Sequence, residues 1–205
     1  MSQDPLVLGI DLGTSGVRIA VIDSSCSLLQ TESAPYQIGL INPFDWRERC
    51  CTLIGRLKPD YRHRLKAIAV DGTSGTLLAC DQKGLPLAEA LPYSFACPNF
   101  TAQLQALSPQ GGPASSASGS LARALHLVDH HKAPLLLRHQ ADWINGWLLD
   151  NWSYGEEGNN LRLGWDLSKS AWPDSFTSQP WWAGSLNPRR SQCIAPLNTA
   201  KSVQS

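Results

Sequence analysis

The stretch LVLGIDLGTSGVRIAVID (residues 6–23) consists of two apolar runs joined by the turn G-T-S-G, with Asp11 at the end of the first run. Two β-branched apolar runs around a tight turn predict a β-hairpin. The same four letters follow Asp71 in IAVDGTSGTLLACD (residues 68–81), again between two apolar runs. The sequence therefore places a carboxylate and a hydroxyl–glycine turn after an apolar run twice. Chance, an internal repeat and two walls of one site are the possible reasons.

The segments around this hairpin predict a sheet that is followed by helices. Residues 28–38 alternate loosely and indicate a third antiparallel strand. Pro43 opens a helix to about Leu57 that Pro59 closes, with three candidate core residues: Phe44, Trp46 and Leu53. LKAIAVDG (residues 65–72) is a nearly continuous apolar run, which is typical of a strand buried on both faces.

Beyond Pro98 the pattern becomes helical. Residues 100–107 form a short helix in this interpretation, and SPQGGPASSASGS (residues 108–120) is either a linker between domains or a surface loop that caps the next helix. Helices are then predicted in LARALHLVDHH (residues 121–131) and RHQADWINGWLLDNW (residues 138–152), where Trp143 and Trp147 are candidate core residues. Strands followed by helices indicate an α/β domain.

The composition limits the possible partners. Among the 205 residues, 17 basic and 17 acidic side chains give zero net charge, so there is no electrostatic footprint for nucleic acid or a membrane surface. The N-terminus lacks a signal-peptide pattern and no apolar run approaches the ~18 residues of a membrane span. A cytoplasmic protein is expected. Six cysteines form no C-x-x-C pair, and most of them, including Cys26, Cys80 and Cys97, are expected to be reduced packing residues.

The first turn has the chemistry of a phosphate cradle. Gly13 allows backbone N–H groups to approach a phosphate, while Thr14 and Ser15 add hydroxyl donors. Asp11 is suited to hold a hydrated divalent cation or to orient a reacting hydroxyl. The Walker pattern with its lysine is absent. The alternative is an ordinary hairpin turn in which these residues satisfy only the turn geometry.

The second turn raises the possibility of a serine nucleophile. Ser74 does not fit the G-x-S-x-G elbow, because Thr76 stands where the second glycine is required. His126, His130 and His131 lie on a predicted helix, and nothing in the sequence links them to Ser74. Residues 129–131 (DHH) suggest the solvated end of a helix more than a metal site, because adjacent helical residues face different directions.

Four segments in succession resemble one family. GIDLGTSGVRIAVID (residues 9–23) resembles the first phosphate motif of the sugar kinase, Hsp70 and actin superfamily, in the form that the FGGY carbohydrate kinases use. IAVDGTSGTLLACDQKGLPL (residues 68–87) is similar to their sugar-pocket segment. SGSLARAL (residues 118–125) and QADWINGWLLDNWSYGEEGNNLRLGWDL (residues 140–167) are similar to two later motifs. The nearest group is the ribulokinase- or xylulokinase-like one of cyanobacteria and plants.

The resemblance implies a ribonuclease-H-like mixed sheet flanked by helices, as in the first domain of a two-domain kinase. It also implies transfer of the ATP γ-phosphoryl group, with Mg²⁺, to a hydroxyl of a pentulose such as D-ribulose or D-xylulose. Asp11 would face the metal and the reacting end of the sugar. Gly13, Thr14 and Ser15 would approach the γ-phosphate. The substrate hydroxyls would contact residues of the second turn, namely Thr73, Ser74 and Gly75, so that the two turns are walls of one site.

The chain also departs from that family. No G-T/C-x-D motif, which carries the family's catalytic base, occurs in it, and Asn159 and Asn160 stand where the family's D-x-N-A-L motif begins with an acidic residue. Residues 1–180 are therefore expected to be an incomplete kinase N-terminal domain, and residues 181–205 a divergent, disordered tail. A truncated or frame-shifted product is expected, inactive alone. A non-catalytic sugar-binding module derived from such a kinase is the alternative.

Overall fold

The structure is a computed structural model that describes residues 4–108, 112–131, 135–179 and 195–196. The chain divides into two compact units. Unit 1 comprises Met1–Gly39, Phe44–Gly72 and Cys193–Ser205, and unit 2 comprises Leu40–Pro43 and Thr73–Gln192. Of the tail predicted at residues 181–205, only 195–196 lie within the described residues.

Unit 1 is built on a mixed sheet. Strands β1 (Leu6–Leu12), β2 (Gly16–Ile22) and β3 (Leu28–Pro35) form an antiparallel meander, and β4 (Leu65–Gly72) pairs with β1 in parallel. The strand order is β3-β2-β1-β4-β7, in which β7 (Ala195–Pro196) is a two-residue antiparallel neighbour of β4. The predicted hairpin and third strand are confirmed.

Helix α1 (Pro43–Arg56) supplies the core of unit 1, and α2 (Pro59–Arg64) follows it. Trp46 and Leu53 are fully buried, as expected. The expectation for Phe44 was wrong: the side chain is 41% exposed, because it stands at the start of the helix. Pro59 begins α2 instead of closing α1, as its ring suits the first turn of a helix.

Strand β4 is only partly buried. Leu65 and Ala67 are buried, whereas Lys66 is exposed and residues 68–70 are half-buried. The prediction of a strand buried on both faces was therefore wrong. The physical reason is that Ala69 and Asp71, which lie on the same face as Ala67, line an open groove on the sheet.

Unit 2 combines a two-stranded antiparallel sheet with helices. Strands β5 (Leu77–Cys80) and β6 (Leu136–His139) pair with each other and are fully buried. The helices are α3 (Thr101–Leu107), which follows a 3₁₀ turn at Pro98–Phe100, then α4 (Ser120–His131), α5 (Gln140–Leu149), α6 (Glu157–Leu161) and α7 (Asp174–Thr177). The observed elements confirm the predicted α/β class.

The small-residue segment 108–120 lies inside unit 2, which favours the loop over a linker between domains. The Cys97 N–H donates to the carbonyl of Ala117 at 2.8 Å, and Ala114 is buried. Cys80 and Cys97 are buried free thiols, as predicted. Cys26 is not a packing residue: it is exposed in a turn at φ 61°. Among the described residues, no helix is both long and apolar enough to cross a membrane.

Candidate phosphate and carbohydrate sites

A row of polar residues crosses one face of the sheet in unit 1. Asp11 is the register partner of both Asp71 on β4 and Arg18 on β2, and Arg18 pairs in turn with Ser33 on β3. Residues directly opposite each other in a sheet point to the same face. The carboxylates of Asp11 and Asp71, at the carboxyl ends of two parallel strands, are therefore neighbours.

The neighbouring row contains only small side chains. Gly9 pairs with Ala69 on one side and Ala20 on the other, and Ala20 pairs with Thr31. Because these residues cover little of the sheet, a groove of about 880 Å³ opens above them, and it is bordered by Asp11, Arg18 and Asp71 among others. The sheet thus presents a polar row beside a space large enough for a small ligand.

Asp11 forms an ion pair with Arg18. The Nη2 and Nε atoms of Arg18 lie 2.8 Å and 3.1 Å from the same oxygen, Asp11 Oδ2. Both side chains are largely exposed, so the pair contributes less than about 1 kcal/mol to stability. Since both interactions use Oδ2, Oδ1 of Asp11 has no hydrogen bond or ion pair with another described residue and is open to a further ligand.

Tyr36, which lies outside the turn after Asp11, donates hydrogen bonds to the carbonyls of the turn. The N–H and hydroxyl donors of Thr14 and Ser15 therefore stay available. Tyr36 donates from its hydroxyl to the Gly13 carbonyl at 3.1 Å and from its N–H to the Ser15 carbonyl at 3.0 Å. The N–H of Gly13 bonds to Gly16 at 2.9 Å. Thr14 and Ser15 are exposed, and within the described residues their N–H and hydroxyl groups have no partner. Such a turn can offer several donors to a phosphate.

These residues suit a hydrated magnesium ion. Carboxylate oxygens are its preferred protein ligands, and it is usually held by one or two of them together with phosphates and waters. Asp11 and Asp71 supply two carboxylates, and Asp71 uses Oδ1 to accept the Gly72 N–H at 2.8 Å. Groups of three or more candidate ligands are absent from the described part of the chain, so the remaining ligands would come from phosphate and water. Neither Asp71 nor Arg18 had been selected from the sequence.

The second turn, in unit 2, is fixed by one buried glutamine. Gln140, at the start of α5, accepts the Thr73 N–H through Oε1 at 2.9 Å and donates its own N–H to the Thr76 carbonyl at 3.2 Å. Ser74 stays exposed at the tip, and Gly75 has φ +88°. The turn is therefore clamped at both ends while its serine faces solvent.

A serine, a histidine and an aspartate meet behind this turn. His139 Nε2 lies 3.1 Å from Ser120 Oγ, and its Nδ1 lies 3.5 Å from Asp142 Oδ2 without forming a hydrogen bond. All three residues are at most 3% exposed, so a substrate has no access to the hydroxyl. The arrangement is structural. This contact argues against a hydrolase with Ser74 as its nucleophile, because His139 forms its hydrogen bond with Ser120 instead.

Comparison with solved structures identifies the fold. The chain superposes on a xylulose kinase from Rhodospirillum rubrum with a TM-score of 0.74 and 16% identity over 90% of the chain. A ligand-bound xylulose kinase from Lactobacillus acidophilus gives 0.72 and 12% over 95%, and a Plasmodium falciparum glycerol kinase with ADP gives 0.68 and 13% over 85%. No family model matches the sequence.

The fold is that of the sugar kinases. The chain spans only 42%, 44% and 40% of the length of these three proteins, respectively. Identities of 12–16% show the fold alone. The expected sugar-kinase, actin-like fold class is confirmed, and the roles of the individual residues stay predictions.

Proposed function

We propose that this chain is part of an FGGY-type ATP-dependent carbohydrate kinase, a phosphotransferase with an alcohol group as acceptor. The observation that carries the proposal is the pair of neighbouring carboxylates, Asp11 and Asp71, next to a turn with unused donors at Thr14 and Ser15. The sugar-kinase fold supports it. We take the acceptor to be a pentulose such as D-ribulose or D-xylulose.

Phosphoryl transfer depends mainly on alignment and charge neutralisation. Bound ATP with Mg²⁺ would supply the phosphoryl group and the charge that neutralises it. In unit 1, the amides and hydroxyls of Thr14 and Ser15 would bind phosphate oxygens, and the carboxylates of Asp11 and Asp71 would hold the metal. Arg18 would keep the Asp11 carboxylate oriented. In unit 2, the Ser74 hydroxyl, with Thr73 and Gly75, would bind the sugar.

The chain alone is expected to turn over very slowly. A general base contributes about 10²–10⁴-fold to catalysis, and the motif that carries it in the resembled family does not occur in this sequence. A non-catalytic sugar-binding module stays the alternative, and the absent motif is all that supports it. The two proposals differ in whether the chain binds nucleotide.

Thermal shift assays on the full 205-residue chain separate them. A kinase derivative is expected to be stabilised by ATP with Mg²⁺, and Asp11→Ala should remove that stabilisation. A sugar-binding module would be stabilised by D-ribulose or D-xylulose but not by the nucleotide. A coupled ATP-consumption assay with both pentuloses completes the test. Rapid turnover lost in Asp11→Ala would refute the expected inactivity, and a chain that binds neither nucleotide nor sugar would refute both proposals.

A further inference from the structure

A buried arginine lies beneath the second G-T-S-G turn. Arg123 on α4 is 2% exposed. Its Nη1 donates to three backbone carbonyls, those of Tyr93 at 3.0 Å, Phe95 at 2.8 Å and Ser118 at 2.9 Å. An NH₂ group has two hydrogens, so these three acceptors fully use Nη1.

The opposite edge of the guanidinium is unused. Nε is buried without a hydrogen bond, and Nη2 has no partner among the described residues. Nη2 lies 3.0 Å from the position that a Cβ on Gly75 would occupy. Nε has no accessible surface, whereas Nη2 is not among the fully buried atoms, so a ligand would reach the guanidinium through Nη2. A guanidinium N–H forms strong, charge-assisted hydrogen bonds with carboxylate and phosphate oxygens. A glycine at position 75 leaves this edge uncovered by a side chain.

Among the described residues, no carboxylate neutralises the positive charge of Arg123. In the described ranges, Arg123 forms no ion pair with an aspartate or glutamate. The neighbouring Cys97 is a thiol, and burial raises its pKa, so it stays neutral at pH 7. Burial lowers the pKa of Arg123, Cys97 acts against that shift, and the positive charge of Arg162 adds to it. A buried cation without a counter-ion is costly, and such groups concentrate at functional sites.

The exposed groups around this edge suit a sugar. Ser74 is exposed at the tip of the turn, and Tyr93 and Phe95 are 47% and 39% exposed. The Cβ of Tyr93 lies 3.6 Å from the Cβ position of Gly75. Flat aromatic rings pack against the C–H faces of a sugar. A hydroxyl, the Tyr93 side chain and an uncompensated cation therefore lie close together within unit 2, whereas the Phe95 ring packs beside His126 on α4.

We propose that Arg123 and the turn at residues 73–75 bind an oxyanion carried by a carbohydrate, either the carboxylate of a sugar acid or the phosphate of a sugar phosphate. Nη2 donates to the anionic oxygens, and Ser74 contacts the hydroxyls. That the ligand is a carbohydrate rests on the proposed function. That it is anionic rests on the unused guanidinium edge alone.

Calorimetric titration of the full chain tests this inference with four probes. The probes are D-gluconate, D-ribulose 5-phosphate, neutral D-ribulose and inorganic phosphate. At least one anionic sugar should bind about tenfold or more tightly than D-ribulose, as charge-assisted hydrogen bonds predict. Comparing gluconate with the sugar phosphate identifies the source of the oxyanion. Binding of inorganic phosphate as tight as that of both sugars would contradict the role of the carbohydrate.

Two matched pairs of variants locate the site. Gly75→Ala places a methyl group 3.0 Å from Nη2, whereas Gly112→Ala imposes a similar positive φ, +110°, in open space. Cys97→Asp supplies an internal counter-ion for Arg123, and Cys97→Asn is its uncharged control. Gly75→Ala and Cys97→Asp should each remove the preference for the anionic sugar, and both controls should keep it. If Gly75→Ala does not fold, the Cys97 pair still decides.

Equal affinity for neutral and anionic sugars would overturn the inference. So would an anionic preference that survives in Cys97→Asp, or the absence of any binding. These outcomes are independent of the kinase assignment, which depends on stabilisation by nucleotide and on Asp11. A chain that binds ATP with Mg²⁺ but shows no preference for anionic sugars would contradict only the role of Arg123.

Discussion

Asp11 and Asp71 are register partners on the parallel strands β1 and β4, and each is the last acidic residue before a G-T-S-G turn. The two occurrences of the motif therefore start from adjacent points on one sheet edge. Their continuations differ, because the first turn joins an antiparallel hairpin and the second is clamped by Gln140 within unit 2. The difference argues against an internal repeat.

Removing either carboxylate should affect nucleotide binding and leave the fold intact. For Asp11→Asn we expect a change of less than about 1 kcal/mol in the free energy of unfolding, because its ion pair with Arg18 is exposed. The Mg²⁺-dependent stabilisation by ATP should fall strongly in Asp11→Asn and more weakly in Asp71→Asn. Urea denaturation and thermal shift measure the two effects.

Asp60→Asn is the matched control for the Asp11→Asn and Asp71→Asn variants. Asp60 also pairs with an arginine on the surface of unit 1, Arg64, at 3.2 Å. It lies on α2, away from both turns in the sequence. Loss of the Mg²⁺-dependent effect in Asp60→Asn as well would show that general surface charge, and not a metal site, is responsible.

The two glycines of the first turn should respond differently to alanine. A Cβ on Gly16 would stand 2.3 Å from the Ala34 carbonyl oxygen and 2.7 Å from the Pro35 Cα, both of them backbone atoms. Gly16→Ala is therefore expected to destabilise the chain by more than about 2 kcal/mol. At Gly13 the nearest atom is 3.4 Å away, an ordinary contact, so Gly13→Ala should fold.

Gly13→Ala, which is expected to fold, tests whether the turn binds the nucleotide. If Gly13 allows close approach of a phosphate, Gly13→Ala should keep its unfolding midpoint in urea and lose affinity for ATP. Unchanged affinity would mean that the backbone at Gly13 does not approach the nucleotide. A well-folded Gly16→Ala would show that strand β3 can move away from the turn.

The local part of the fold could be predicted from the sequence. The hairpin, the LKAIAVDG strand and the helix from Pro43 follow from short-range periodicity and from proline and glycine positions, and the structure has them at nearly those bounds. The exposure of Phe44 and the open face of β4 could not be predicted. Both depend on which elements cover a surface, and the period of one segment does not contain that information.

The candidate site shows the same division. Asp11 and its turn are consecutive residues, so their chemistry can be recognised in the sequence. Gln140 lies 67 residues from Thr73, and Arg123 lies 28 residues from the Phe95 carbonyl that it binds. Only the pairing of β5 with β6 and the packing of α4 and α5 onto them bring such residues together. Both helices carry several polar residues, so their patterns do not single out Arg123 or Gln140 as buried side chains.

Replacing Gln140 should loosen the second turn. Gln140→Leu removes the acceptor of the partly buried Thr73 N–H, which costs about 0.5–1.5 kcal/mol, the net contribution of a typical hydrogen bond. Hydrogen exchange at the Thr73 amide should accelerate, while amides of β1 in unit 1 should be unaffected. Gln140→Glu keeps an acceptor oxygen and should protect the Thr73 amide better than leucine does. Equal exchange in both variants would contradict the role assigned to Oε1.

The buried thiols should make stability depend on pH in the alkaline range. Burial raises the pKa of Cys50 and of Cys80 to about 12, from an ordinary value near 9. Because the folded state holds these protons more tightly than the unfolded chain, the stabilisation is complete below pH 9 and is lost as the pH rises towards 12. The free energy of unfolding should therefore fall between pH 9 and pH 12.

Cys50→Ala and Cys80→Ala should each flatten that decline, whereas Cys26→Ala, at an exposed turn, should not. Urea titrations at several pH values measure it, and an equal slope in all three variants would show that the two buried thiols are not its source.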